Sequence, residues 1–574
     1  MYLTRKGVFT LSKKFLIVGG VAGGASTAAR LRRLDEKAEI IMFEKGPNVS
    51  FSNCSLPFHL SGIVENSDKL ILMTPQGFQT KYNIEARVQQ EVVRINREQK
   101  TITIKDLKTN RDYEESYDTL ILSPGASPIV PDLEGIHSKH VFTIRNVADI
   151  DRLNWYLQTD NVQDIAVVGG GFIGVEVAEN LKLAGYNVSL VEFGQQIMAP
   201  FDYDMAQILH KEMTDKGVQV IVNDGLAKVT PNNVTLNSGK QLKAQAVVLA
   251  IGVRPEIRLA KEAGLTIGEL GGIQVDANYV TSDPSIYAVG DAIEVFHQLT
   301  HKQTRLALAG PAQRQARAAA NHMYNIPHHN KGVIGSSSVQ IFDLACATTG
   351  LNEKTALANG FPAKSVYLIA PDKVGLMPNS NPLHFKLVYE TPTGKILGAQ
   401  AIGKGNADKR IDVIATLITM GGTLEDLKEL ELSYSPMFST ARDIVNLAAL
   451  VAQNLLHGHF KQVKVDEVRK LIENQAYFLD VREKNEFESG HLINAHNIPL
   501  SELRERMNEI PKDQAVYVHC RSGQRSYNAV MALQNSGFSN IFNVSGSFLG
   551  ISLYEYFTDI TTNRDKIVTA YNFK

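Results

Sequence analysis

Short apolar runs alternate with segments of helical periodicity over the first part of the chain, the pattern of parallel α/β units. The first unit reads Phe15-Leu16-Ile17-Val18, then the turn Gly19-Gly20-Val21-Ala22-Gly23-Gly24, a helix predicted over 25–34, and Ile40-Ile41-Met42-Phe43-Glu44. The same order returns as Ile165-Ala166-Val167-Val168, Gly169-Gly170-Gly171-Phe172-Ile173-Gly174, a helix through Leu183, and Val188-Ser189-Leu190-Val191-Glu192. From about 331 to 450 the pattern changes to strands with a hairpin (384–389 with 395–402), followed by helices. Residues 341–347 read there as one apolar strand, which assigns Cys346 to packing. His457-Gly458-His459-Phe460 reads as a linker, and 463–560 as a further small α/β domain.

Composition changes this picture little. A chain of 574 residues accommodates about three to five domains. Basic and acidic residues number 59 and 60, so the net charge of −1 argues against nucleic-acid docking. The apolar share of 44% and charged share of 21% are those of a globular protein. No run approaches the ~18 apolar residues of a membrane span. Residues 1–13 are basic without a long apolar stretch and read as a short extension, not a signal peptide. Three cysteines exclude a disulfide scaffold and predict a reducing, cytoplasmic setting.

Both glycine turns join a strand to a helix, where backbone N–H groups and the helix N-terminus can approach a pyrophosphate. Each is followed about 20 positions on by an acid suited to ribose hydroxyls, Glu44 and Glu192. Glu192 favours NADH, with NADPH the alternative, because a 2′-phosphate is repelled there. The first copy has Val21 where the middle glycine is expected. Ser285-Ile286-Tyr287-Ala288-Val289-Gly290-Asp291 is a buried strand ending in Gly-Asp, whose acid suits a ribityl hydroxyl. Two dinucleotide folds predict two dinucleotides, and no metal site is expected.

With these motifs in order, residues 14–450 resemble the pyridine nucleotide-disulfide oxidoreductase family of flavoproteins. The resemblance implies two interleaved Rossmann-like domains, an FAD-binding one (14–150 and 250–330) and an NAD(P)H-binding one (151–249). An α+β dimerisation domain (331–452) would form a homodimer, and a linker (453–462) follows. It implies FAD contacts from Gly19, Val21, Ala22, Gly23, Gly24, Glu44, Lys45, Asn53, Ser123, Pro124, Gly125, Gly290, Asp291, Ala309 and Gly310. It implies NADH contacts from Gly169, Gly171, Phe172, Ile173, Gly174 and Glu192.

Cys54 lies in Ser50-Phe51-Ser52-Asn53-Cys54-Ser55-Leu56-Pro57-Phe58-His59, where many family members carry a second cysteine at the position of His59. A single thiol must act through a mixed disulfide, a persulfide or a sulfenic acid. The first glycine turn lacks the His of the peroxidase and oxidase group. The segment instead resembles the coenzyme A-disulfide reductases. That resemblance implies a coenzyme A path lined by Ser26, Arg30, Arg33, Ser50 and Asn53, with Arg442 as a further basic contact. It also implies that Tyr434, in Leu432-Ser433-Tyr434-Ser435-Pro436, reaches the reactive sulfur from the partner subunit. Arg30 and Arg33, three apart, share a helix face and suit phosphates. A loop expected to carry two tyrosines reads Leu376-Met377-Pro378-Asn379.

Near the C-terminus a strand ends at Cys520-Arg521-Ser522-Gly523-Gln524-Arg525-Ser526, followed by a helix predicted over 527–534. A loop at a helix N-terminus forms an anion nest, and Arg521 and Arg525 add positive charge, so Cys520 is expected to be nucleophilic. With Asp480-Val481-Arg482, Glu486-Phe487 and Gly490-His491-Leu492, residues 463–560 resemble the rhodanese family, except that an expected Gly-Gly reads Ser545-Gly546. A Cys-based phosphatase needs Arg six positions after Cys, and Arg525 stands at five. The chain is thus expected to be a flavoprotein, NADH-driven reductase of coenzyme A persulfide, polysulfide and disulfide, its rhodanese domain handing sulfur from Cys520 to Cys54. Three other readings stay open: a sulfurtransferase with an accessory flavoprotein, an NADH oxidase or peroxidase, and a redox sensor.

Overall fold

The computed structural model describes residues 12–573, so the basic extension read in 1–13 lies, but for its last two residues, outside the described residues. The chain folds into two compact units. One comprises the chain through Val168 with Asn180–Asn187 and Leu226–Val333; the other comprises Gly169–Glu179, Val188–Gly225 and the chain from Ile334 onward.

The first unit is built on a parallel sheet in the order Ile286–Ala288, Thr119–Leu122, Lys14–Val18, Glu39–Glu44, Glu85–Val88. Its strands are continuously apolar because helices cover the sheet, and Leu16, Ile17, Met42, Leu120 and Ile121 are fully buried. The strand Lys14–Val18 pairs with Glu39–Glu44 on one side and Thr119–Leu122 on the other. The chain therefore reverses its direction of winding beside this strand, and the crevice beyond the strands' carboxyl ends is where such sheets bind ligands. The first helix runs Ala22–Leu34 rather than from Ala25. Val21 already accepts the Ala25 N–H at 2.8 Å, so the helix starts inside the glycine turn.

In the second unit, an antiparallel sheet has the order Ser337–Ile341, Leu344–Gly350, Ile396–Gly403, Pro382–Glu390, Ala363–Pro371. Residues 341–347, expected as one strand, form a hairpin. Phe342 takes a φ of +49°, and Ile341 pairs with Leu344 around the two-residue turn. Cys346 is buried on the second strand, and burial pushes its thiol up, with Glu179 and Glu212 adding to the effect.

A further parallel sheet lies in the same unit, in the order Lys461–Val463, Ile541–Val544, Val516–His519, Tyr477–Asp480, His496–Asn497. Of the expected linker, 453–456 complete the helix Ile444–Leu456, and 461 and 462 enter this sheet. Only 457–460 connect, and Phe460 is buried in the module's core. The module is anchored as well as linked. The ring of Phe557, on the helix Ser547–Thr562, lies 4.4 Å from that of His210, on the helix Tyr203–Asp215.

A buried ion cluster reinforces that anchor. Lys386 lies 2.9 Å from Asp204, 3.2 Å from Asp202 and 3.4 Å from Glu353, and Lys464 pairs with Glu353. The segment after Thr562, for which the sequence suggests no role, folds back on the module. Ile567 and Val568 are buried in its core, and the Thr569 N–H donates to the His491 carbonyl at 2.9 Å.

Candidate functional site

A cavity of about 420 Å³ opens at the carboxyl ends of the first sheet. It is lined by Gly19, Val21, Ala22, Gly23, Glu44, Lys45, Asn53, Ser123, Pro124, Gly125, Gly290 and Asp291, all expected FAD contacts. Gly24 packs instead inside the turn, where a Cβ would lie 1.8 Å from the Gly19 carbonyl oxygen. Ala309 and Gly310 are exposed at the start of the helix Ala309–Met323, whose Ala312 lines the cavity.

The turn fits a dinucleotide. Gly19, with φ +96°, has no room for a Cβ, which would lie 2.0 Å from the Ser123 carbonyl oxygen. The Glu44 carboxylate accepts the Gly20 N–H at 3.0 Å and the Gly46 N–H at 2.8 Å. Arg145, which no motif announces, also lines this cavity. It donates to the Pro124 carbonyl at 3.1 Å and to the Ser127 hydroxyl at 3.2 Å. Burial raises the Asp291 carboxyl, with the Arg145 guanidinium opposing.

The second turn repeats this arrangement in the other unit. Glu192 accepts the Gly170 and Gly194 N–H groups, each at 2.6 Å. Gly169 has φ +110°, and a Cβ on Gly171 would meet open space. Phe172, Ile173 and Gly174 open the helix Phe172–Leu183, with Ile173 exposed.

A groove of about 370 Å³ is lined by Ser26, Arg30, Arg33, Ser50, Tyr82 and Arg317, among others, and by no acidic residue. Arg30 donates twice to the Asn321 side-chain oxygen, at 2.9 and 2.7 Å. Burial lowers its guanidinium pKa, and Arg317 and Arg33 add to the effect. Three guanidinium groups without a counter-carboxylate attract polyanions. Arg317 sits on a different helix, remote in sequence from the motif, and escaped the sequence reading.

Cys54 is exposed in the single turn Asn53–Ser55. The segment leading to it is pinned by backbone pairing on both sides of Phe51. The Leu72 N–H donates to Ser50 O at 2.7 Å, and the Ser52 N–H to Leu70 O at 2.8 Å. Ser50 lines the arginine groove, Phe51 and Asn53 line the glycine-turn cavity, and Cys54 follows immediately. His59 turns its Nδ1 to the Val64 carbonyl at 2.7 Å. Tyr434 and Arg442 belong to the second unit and are exposed, as are Met437 and Phe438. Leu376, in the loop expected to carry tyrosines, is 89% exposed.

Cys520 is only 1% exposed, at the carboxyl end of the strand Val516–His519. Its Sγ accepts the Gly523 N–H at 3.2 Å and lies 3.8 Å from the Ser547 hydroxyl. The following helix begins at Gln524, three residues earlier than expected, with Gly523 at φ +114° as its cap. Arg525 is held by the Glu486 carboxylate at 2.6 and 2.7 Å. Burial lowers the Arg521 guanidinium pKa; Glu486 opposes this, and Arg482 and Arg525 add to it.

Residues 13–316 match the pyridine nucleotide-disulphide oxidoreductase family, 336–444 its dimerisation domain and 464–553 the rhodanese-like domain. The coenzyme A disulfide reductase of Staphylococcus epidermidis is 35% identical over 441 residues, 77% of this chain and all of that protein. The crystal structure of reduced Bacillus anthracis CoADR-RHD superposes with a TM-score of 0.92 at 44% identity, covering 96% of this chain and 99% of that one. A NAD-dependent persulfide reductase from A. fulgidus superposes with a TM-score of 0.89 at 32% identity, covering 93% and 99%. No helix among the described residues is long and apolar enough to cross a membrane.

Proposed function

Because the chain belongs to the pyridine nucleotide-disulphide oxidoreductase family, we propose that it is an NADH-driven flavoprotein reductase of coenzyme A persulfide, polysulfide and coenzyme A disulfide. The reading rests above all on the course of residues 50–54, from the arginine groove past the glycine-turn cavity to Cys54. Coenzyme A is a thiol on a phosphate-bearing handle. Arg30, Arg33 and Arg317 bind the phosphates, Ser26 and Ser50 line the path, and the sulfur end comes to Cys54.

FAD held by the first turn and NADH held by the second supply the two electrons that return Cys54 to its thiolate. The residues do the rest. The Gly19–Gly24 turn, with Glu44, fixes the adenosine end, and Asp291, beside Arg145, holds the ribityl end. The Cys54 thiolate attacks the sulfur–sulfur bond of the substrate. One sulfur joins Cys54 in a mixed disulfide, and the other leaves with the bonding electron pair as a thiolate or hydrosulfide. Tyr434 of the partner subunit protonates a leaving sulfur, and Arg442 adds a phosphate contact. The homodimer forms through 331–452.

In the rhodanese domain, Cys520 carries sulfane sulfur as a persulfide, steadied by the Gly523 N–H, with Arg521 and Arg525 drawing anionic donors. This sulfur passes to the Cys54 site of a cytoplasmic enzyme. The deciding experiment is anaerobic NADH oxidation with coenzyme A persulfide and coenzyme A disulfide in separate assays, with released sulfide recorded. Turnover of the persulfide with one sulfide per NADH is expected. NADH consumption that neither substrate accelerates overturns the reading.

A further inference from the structure

Cys520 is held on one side by the turn Ser545–Ser547 and the residues that follow it. Its N–H donates to the Ser547 hydroxyl at 3.2 Å, and the Ser526 hydroxyl lies 3.3 Å from the same oxygen. The Phe548 and Leu549 N–H groups donate to the carbonyls of Cys520 and Arg521 at 3.0 and 2.9 Å. Ser547 itself stands at φ +50°, directly after Gly546 at φ +68°. Two successive left-handed residues, the second bearing a side chain, persist only where the surroundings over-determine them.

One wall of that turn comes from outside the rhodanese domain. A Cβ on Gly546 would lie 2.6 Å from Tyr367 Cε1, and one on Gly550 3.1 Å from the same atom. The Ser545 hydroxyl donates to the Tyr367 carbonyl at 3.2 Å. Ser545 is the residue that departs from the expected Gly-Gly, and its side chain is used in this cross-domain bond. Tyr367 lies on the edge strand Ala363–Pro371 of the dimerisation domain. It is fixed in turn, its hydroxyl 2.7 Å from His384 Nδ1. Burial brings the His384 pKa down to about 4, so the imidazole is neutral.

We propose that Tyr367 is a positioning residue for sulfur transfer at Cys520, holding the Ser545–Ser547 turn in register so that the Ser547 hydroxyl stays against the Cys520 N–H and sulfur. The inference rests on reading Cys520 as a sulfurtransferase nucleophile. With thiosulfate, the Cys520 thiolate takes the outer sulfur, the sulfur–sulfur bond breaks and sulfite leaves with its electron pair. Cyanide then removes that sulfur as thiocyanate and restores the thiolate.

The test compares full-length wild type, Tyr367→Ala and Tyr367→Phe in thiosulfate:cyanide transfer. Small displacements of reacting groups cost large rate factors, so Tyr367→Ala is expected to lower kcat about tenfold or more, with the thiosulfate KM within about twofold. Tyr367→Phe keeps the ring and is expected to stay within about threefold of wild type, and Tyr367→Ala to reduce coenzyme A disulfide normally. Gly546→Ala should cost less in the Tyr367→Ala background, where its Cβ has room, than in wild type. Undiminished transfer by Tyr367→Ala overturns the inference alone, as does equal loss in the Phe variant. A wild type that forms no thiocyanate overturns the sulfurtransferase reading and the inference with it. Should Tyr367→Ala fail to fold, Ser545→Ala, which removes one hydroxyl, decides: a reduced kcat supports the inference and an unchanged one overturns it.

Discussion

The Glu486 carboxylate grips the Arg525 guanidinium in a two-point pair, 2.6 and 2.7 Å, five positions beyond Cys520. Hydrogen bonding from Arg525 holds the Glu486 carboxyl below its ordinary pKa. Each oxygen is committed to Arg525, so the pull of that cation on an approaching anionic sulfur donor is partly offset. Glu486→Gln is expected to raise kcat/KM for thiosulfate about three- to tenfold, the effect of removing one nearby charge at an intermediate dielectric. Steady-state thiosulfate:cyanide kinetics check this, and a fall would show that the pair serves to hold Arg525 in place.

Arg30→Ala, Arg33→Ala and Arg317→Ala each remove a cation from a groove without acids. Each is expected to raise the KM for coenzyme A disulfide about tenfold, as charge-assisted contacts to phosphate are lost. A small disulfide without phosphates should be reduced as before. Equal loss on both substrates would place the arginines in folding rather than recognition.

Under the proposed mechanism the two cysteines divide the chemistry. Cys54→Ser is expected to abolish NADH-dependent reduction of every sulfur substrate. Cys520→Ser should spare coenzyme A disulfide and impair polysulfide turnover. Anaerobic assays with each substrate separate the cases, and equal loss from both variants on the disulfide would end this division of labour.

The buried cluster around Lys386 carries a pH signature. Burial pushes the Asp202 and Glu353 carboxyls up, but Lys386, together with the Gln400 side chain and the Glu353 N–H at Asp202 and with Lys464 at Glu353, outweighs it and leaves both below their ordinary values, whereas burial keeps Asp204 raised. Asp202 and Glu353 therefore contribute stability above the ordinary carboxylate pKa, and that contribution fades as pH falls through their lowered values. Asp204 has the opposite sign, costing stability as pH rises. Lys386→Met strands the carboxylates without their central cation and should cost about 3–5 kcal/mol at neutral pH. The deficit should shrink towards about pH 4, where the stranded acids take up protons. Thermal melts of both proteins across that range give the answer; a deficit independent of pH would mean that lost packing, not charge, is responsible.

Local patterns made much of this legible. The two glycine turns, Glu44, Glu192 and the Gly290-Asp291 pair lie within short stretches whose periodicity announces strand, turn and helix. Arg317 and Arg145 did not show. Arg317 reaches the groove from a helix far along the chain, and Arg145 meets Pro124 and Ser127 through a turn of tertiary structure. The 341–347 run reads as one strand because a single Asp343 interrupts its apolar residues, and the left-handed Phe342 that turns the chain there is itself apolar. Tyr367 looks like any strand aromatic until Gly546 is seen against its ring.

The acid-free groove has a kinetic consequence. Its three guanidinium groups act at a distance on any polyphosphate, and about 8 Å of screening length at physiological salt confines that pull to the mouth of the groove. Capture should therefore slow steeply as ionic strength rises, while the sulfur chemistry that follows does not. The protein would then choose among thiols in the cell by the phosphates they carry, leaving the reactive sulfur itself nearly indiscriminate.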